Sequence, residues 1–221
     1  MLAIDLVDYD IPALRTSDTI AKALRLMEES RLPQLAVIHD DKYVGMLEED
    51  ALLDYDESEL IETVQPDFSG VFVLAFQHLY ELLGTASRYD LKVLPVLDEE
   101  QKFVGSISSN NIYQLLAKQI GTYEPGAIIE MSLLNRDYSL SEISRLIESE
   151  NAKITSSYIT GSTQDFSNPL RVTLKLNKID ISAIVATLER FGYTVNAAYA
   201  HAPIANGDKD RYDMLMKYLS I

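Results

Sequence analysis

Apolar and polar positions along the chain fall into a pattern that repeats. Leu35-Ala36-Val37-Ile38 is an apolar run closed by His39-Asp40, and Lys42-Tyr43-Val44-Gly45-Met46-Leu47-Glu48 follows it. Later, Val93-Leu94-Pro95-Val96-Leu97-Asp98 leads to Lys102-Phe103-Val104-Gly105-Ser106-Ile107-Ser108. β-Branched and aromatic residues suit pleated, half-buried positions, so each stretch predicts two strands joined by a tight acidic turn. Gly45 and Gly105 stand 60 residues apart, and each hairpin precedes an apolar helical stretch. A fixed period of this kind predicts two copies of one structural unit.

Around the hairpins the period lengthens to that of a helix. Ile20, Ala23, Leu24 and Met27 share one helical face, and Ser17 or Asp18 just before them is placed to accept an orphan backbone N–H as a cap. A second helix is predicted over residues 50–61. In the second unit residues 71–83 supply the helix before the hairpin. Ile112, Leu115, Leu116 and Ile120 mark a closing helix that Gly121 stops.

The pattern changes after Glu124-Pro125-Gly126. Residues 127–134 read as a strand, and Ser139 with Glu142 forms a capping box before Leu140, Ile143 and Ile147. Residues 153–160 and 170–176 read as strands joined by the polar loop 161–169. Asp180 then caps a helix carrying Ile184, Val185, Leu188 and Phe191, Gly192 ends it, and residues 193–199 form a last strand. That order, βαββαβ, predicts a ferredoxin-like layout with the helices on one face of a sheet. The tail, 208–221, reads as one more helix through Tyr212, Leu215 and Leu219. The expected fold class is therefore α+β: repeat one over 1–62, repeat two over 63–122, a βαββαβ domain over 125–201 and a helical tail over 202–221.

Composition narrows the function classes. The chain has 221 residues, 47% of them hydrophobic, and no run approaches the roughly 18 apolar residues of a membrane span. Its start lacks the basic and apolar regions of a signal peptide, so a cytoplasmic protein is the expectation. With no cysteine there is no disulfide, thiolate zinc site or thiol nucleophile. A net charge of −15 repels nucleic-acid phosphates. The acidic stretch from Glu48 to Glu62 reads as the solvated face of an amphipathic helix. His39, His78 and His201 lie one per unit, without paired spacing, and no nucleophile elbow or Walker loop is present. The expectation is a protein that is not an enzyme.

Residues 1–122, through Leu94-Pro95-Val96-Leu97-Asp98 with Phe103-Val104-Gly105-Ser106-Ile107-Ser108 and their weaker copy at 35–47, resemble a tandem pair of CBS domains, the Bateman module. Residues from 125 to about 200 are similar to an ACT-type regulatory domain, and the combination resembles the AcuB-like acetoin-utilisation proteins. The resemblance implies a regulatory protein that senses an adenine nucleotide (AMP, ADP or ATP) or a related ligand. It also implies a homodimer or dimer of dimers, with helices at 51–61 and 112–120 as contacts, and an unidentified protein target. Nucleotide-binding pairs carry Gly-x-x-Thr/Ser-x-x-Asp after the second strand, whose hydroxyl and carboxylate hold ribose. Here Gly105 is followed by Ser108, Asn110 and Asn111, so the hydroxyl is kept and the acid is replaced by an amide with one acceptor oxygen. Lys92, before Val93, stands where the family reaches phosphate. The first repeat departs further, with Glu48 at the hydroxyl position, Ala51 at the acid position and Pro33 at the basic one. A candidate effector loop lies at Arg136, Asp137 and Tyr138, where the first two could meet an amino acid's carboxylate and ammonium or form a surface ion pair; the tyrosine stands where amino-acid-binding members carry glycine, so no free amino acid is expected there and the domain is read as serving assembly. A ligand-free dimeric adaptor is the rival reading, favoured by Asn111 and Ala51.

Overall fold

A computed structural model of the chain describes residues 1–161 and 169–200, divided between two units, Met1–Leu115 and Leu116–Ile221. In the first unit β1 (Leu14–Arg15) runs parallel to β2 (Gln34–His39), with α1 (Ile20–Ser30) between them. β2 turns at Asp40-Asp41 into antiparallel β3 (Lys42–Glu48), which ends in α2 (Glu49–Leu52). The second copy has the same order: β4 (Val73–Leu74), α3 (Leu79–Tyr89), β5 (Val93–Leu97), β6 (Phe103–Ser108) and α4 (Ser109–Gln119). The sheets are ordered β1-β2-β3 and β4-β5-β6. Both hairpins therefore form where the alternation places them.

Each copy lends its leading segment to the other's sheet. Asp8 N–H donates to Ser106 O (2.9 Å) on β6, and Ala3 enters the core of the second repeat. Asp67, ahead of the second repeat, exchanges backbone hydrogen bonds with Met46 on β3 (2.7 and 2.9 Å). These crossings explain the repeated glycine. A Cβ on Gly45 would lie 2.7 Å from Asp67 O, and one on Gly105 would lie 2.5 Å from Val7 Cγ1.

In the first unit three expectations are corrected. The cap of α1 is Thr19, whose Oγ1 accepts from Lys22 N–H (3.2 Å). Asp18, one residue earlier, accepts instead from Arg15 N–H (2.9 Å) and Lys22 Nζ (2.6 Å). The helix expected over 50–61 is a single turn, and Leu53 beyond it is exposed. Asp56 breaks it by accepting from Ser58 N–H (2.8 Å) and Ser58 Oγ (2.6 Å), a local alternative to helical bonding. The carbonyls of Glu57 and Glu59 then accept from Ala21 and Ile20 N–H (3.0 and 2.9 Å), orphan donors in the first turn of α1. The helix expected over 71–83 begins only at Leu79, because Val73 and Leu74 are spent pairing with Val96 and Leu97. His78 caps it, with Nδ1 facing Tyr80 N–H (3.4 Å) and its own N–H donating to Glu81 Oε2 (3.0 Å).

The second unit contains β7 (Ala127–Leu133), α5 (Leu140–Ser149), β8 (Ile154–Thr160), β9 (Leu170–Leu176), α6 (Ser182–Arg190) and β10 (Thr194–Ala200). The sheet is antiparallel throughout with order β10-β7-β9-β8, the ferredoxin-like arrangement. Alternate residues of β7, namely Ala127, Ile129, Met131 and Leu133, face a core shared with Ile143, Ile147, Ile184 and Leu188. Ser139 caps α5 (Oγ to Glu142 N–H, 3.3 Å), and Asp180 accepts from Ser182 N–H (3.1 Å) at the start of α6. Leu140 and Phe191, expected on buried faces, are exposed. Residues 162–168 of the polar loop and the tail from His201 onward lie outside the described residues. Among those described, no helix is long and apolar enough to cross a membrane.

Candidate ligand site

The hairpin of the second repeat sets its candidate residues side by side. Val93 and Ser108 are register partners at its open end, and the Lys92 carbonyl accepts from Ser109 N–H (2.9 Å). Ser108 Oγ accepts from Asn111 N–H (3.1 Å), capping the first turn of α4. Accepting that bond leaves the hydroxyl its own proton to donate. Asn110 and Asn111 are exposed on the same turn, while Val93 is fully buried and offers only its strand to the site. Lys92, Ser108, Asn110 and Asn111 thus share one end of β5–β6 and the start of α4.

Lys92 is engaged on several sides. Its Nζ is 2.8 Å from Asp90 Oδ1, in an ion pair open to solvent. The bond to Asp90 raises the lysine above its ordinary pKa against desolvation, and the charges of Asp90, Tyr113 and Glu48 add to the effect. Its backbone N–H donates to Gln34 Oε1 (3.1 Å). Gln34 is 2% exposed, and its Nε2 donates to Glu48 Oε1 (2.9 Å). One buried amide therefore ties the two repeats together and fixes a carboxylate at the site. A cleft of about 220 Å³ opens here, lined by Pro33, Gln34, Glu48, Glu49, Asp50, Asp90 and Lys92.

Gln34 and Asp90 were not among the residues the sequence singled out. Gln34 left one trace, a polar residue opening an otherwise apolar strand run. Asp90 follows α3 in a left-handed conformation (φ 50°), which brings its carboxylate back towards Lys92. In the first repeat, Pro33 O accepts from Glu49 N–H (2.8 Å), the counterpart of the Lys92–Ser109 bond. Glu48 there stands where Ser108 stands in the second repeat, and Ala51 is exposed.

In the second unit, Asn135–Asp137 form a 3-10 turn after β7. Arg136 Nε lies 3.6 Å from Asp137 Oδ1, both side chains largely exposed, and Tyr138 has φ −78° and packs partly against the core. Asp137 also lines a cavity of about 450 Å³ with Glu142 and Tyr193. Tyr193 donates to Glu142 Oε2 (3.1 Å), and burial together with that carboxylate pushes the phenol above its usual pKa. His39 Nδ1 lies 2.8 Å from Thr16 Oγ1, so two of the three histidines have local structural roles.

Two three-stranded repeats that exchange leading segments and meet at a polar cleft form the fold of a CBS domain pair. The family model for the CBS domain matches residues 3–58. The crystal structure of a CBS domain pair/ACT domain protein from Thermotoga maritima is similar, with 22% identity and a TM-score of 0.51 over 53% of this chain and 98% of that one. The CBS domains of a transcriptional regulator from Streptococcus pneumoniae match at 19% identity and a TM-score of 0.48, over 52% and 98%.

Proposed function

We propose that this chain is a regulatory sensor, not an enzyme, whose CBS pair binds a small adenosine-bearing ligand at the open end of the β5–β6 hairpin. The observation that supports this reading is the pairing of Val93 with Ser108, which brings a hydroxyl donor, two exposed amides and the Lys92 strand start to one end of the hairpin. Ser108 would donate to a ribose oxygen. Asn110 and Asn111 would contribute amide groups, with Asn111 in the place of the usual acid. The βαββαβ unit is the ACT-type part of the same protein, of the AcuB-like kind, and serves assembly; the loop at Arg136, Asp137 and Tyr138 supports that role because its ion pair is internal and surface-exposed. The protein would act in the cytoplasm as a homodimer, passing the ligand's presence to a protein target.

A ligand that binds only the folded state raises the melting temperature. In a thermal-shift series with adenosine, AMP, ADP, ATP, S-adenosylmethionine and amino acids, at least one adenosine compound is expected to raise the transition and the amino acids to leave it in place. No shift with any adenosine compound at millimolar concentration would contradict the reading.

A further inference from the structure

Granted the adenosine site proposed above, on which this rests, we infer that the cleft beside Lys92 selects an adenosine compound carrying a positive charge, a sulfonium or an ammonium, over one carrying phosphates. One lysine lines the cleft among four carboxylates, Glu48, Glu49, Asp50 and Asp90. Its ammonium is already bound to Asp90 at 2.8 Å. A phosphate approaching Lys92 would have to share that ammonium with the Asp90 carboxylate and sit against the other acids, and like charges repel across a short gap. A cationic substituent meets the same acids without breaking any bond.

Glu48 is not free to swing away from such a ligand. Gln34 Nε2 holds its Oε1 at 2.9 Å, and the other end of that buried amide is held by Lys92 N–H. The amide can keep this arrangement only while both ends are bonded, since a buried polar group without a partner is costly. The acid is therefore built into the wall, at the position where the second repeat carries Ser108. One feature pulls the other way. The N-terminus of α4 carries roughly half a positive charge, but one of its N–H groups is taken by Ser108 Oγ. Against four carboxylates, and a chain of net charge −15, it does not reverse the sign of the cleft.

The test is calorimetric titration of the full chain with three probes of one nucleoside: adenosine, S-adenosylmethionine and AMP, each at low and high salt. S-Adenosylmethionine should bind at least about tenfold more tightly than AMP at low salt, with the gap narrowing at high salt as the charges are screened. In the double variant Glu48→Gln, Asp50→Asn, the gap should shrink to about threefold or less. AMP binding as tightly as S-adenosylmethionine, with both weakened by Ser108→Ala, would overturn charge selection while leaving the adenosine site standing. A gap that persists unchanged in the double variant would overturn the assignment to this cleft. Failure of all three probes to bind would overturn the site and the selection together.

Discussion

Gln34 shows how much one side chain can organise. Its amide has two polar ends, and burial obliges both to find partners. One end reaches Lys92 in the second repeat and the other Glu48 in the first. The local sequence around residue 34 cannot display this, because Lys92 lies 58 positions away. Ser108 and Asn111 were named through the resemblance to the family signature, and the structure adds that Ser108 Oγ accepts from Asn111 N–H at the start of α4. Asp18 was half legible: its place before α1 was plain, but Thr19 does the capping. Burial works to raise the Asp18 pKa, yet the hydrogen bonds from Lys22 and Arg15, with their charges, hold it below its ordinary value. Its folded pKa lies below the unfolded one, so the stability it contributes is complete above about pH 4 and drains as the pH falls through the folded value. Asp18→Asn should cost about 1.5 kcal/mol near neutral pH, the lower end for hydrogen bonds to a charged group. The difference from the unaltered chain should fade as the pH falls below the ordinary carboxylate range and the folded chain takes up the proton. Urea unfolding followed across that range checks this; a difference independent of pH would contradict it.

At the scale of elements, the hairpins were legible because alternation and turn chemistry are local signals. The helices expected over 50–61 and 71–83 were not, because distant partners decided them. The carbonyls of Glu57 and Glu59 went to the first turn of α1, and Val73 and Leu74 went to β5. The apolar residues there that mimic a helical stripe, such as Ile61 and Val73, are buried, but from extended or turn conformations. The glycines separate the two kinds of constraint. Gly84 is exposed in α3 with nothing within 4 Å of an added Cβ, so Gly84→Ala should stabilise the fold by about 0.5–1 kcal/mol through helix propensity. Gly45→Ala should destabilise it by about 1–3 kcal/mol, since the methyl meets backbone of the crossing segment. Chemical denaturation of the two variants should move the midpoint in opposite directions; an unchanged or raised midpoint for Gly45→Ala would show that the close crossing there is not a constraint.

For the whole molecule, the repeat and the βαββαβ order carried the architecture, because both are patterns in the succession of elements rather than in any one contact. The proposed site was less open to reading: the residues proposed to hold ribose come from the resemblance to the family signature, while the acids around Lys92 converge from both repeats. The homodimer is a prediction at this scale. With residues 53–60 outside any helix, α4 remains the helical contact, and its exposed Tyr113 gives it apolar surface to bury. Closed two-fold symmetry is the usual solution for such a face. Sedimentation should give a dimer at micromolar concentration, and a stable monomer would contradict the assembly.

The adenosine site itself is tested most directly by calorimetric titration of the chain and two single variants with adenosine. The unaltered chain should take one ligand per chain. Asn111→Asp should bind more tightly, because a carboxylate accepts strongly from two ribose hydroxyls. Ser108→Ala should bind more weakly by about 1 kcal/mol, the net worth of one hydrogen bond. Equal affinity for all three proteins would contradict the account and place the ligand elsewhere.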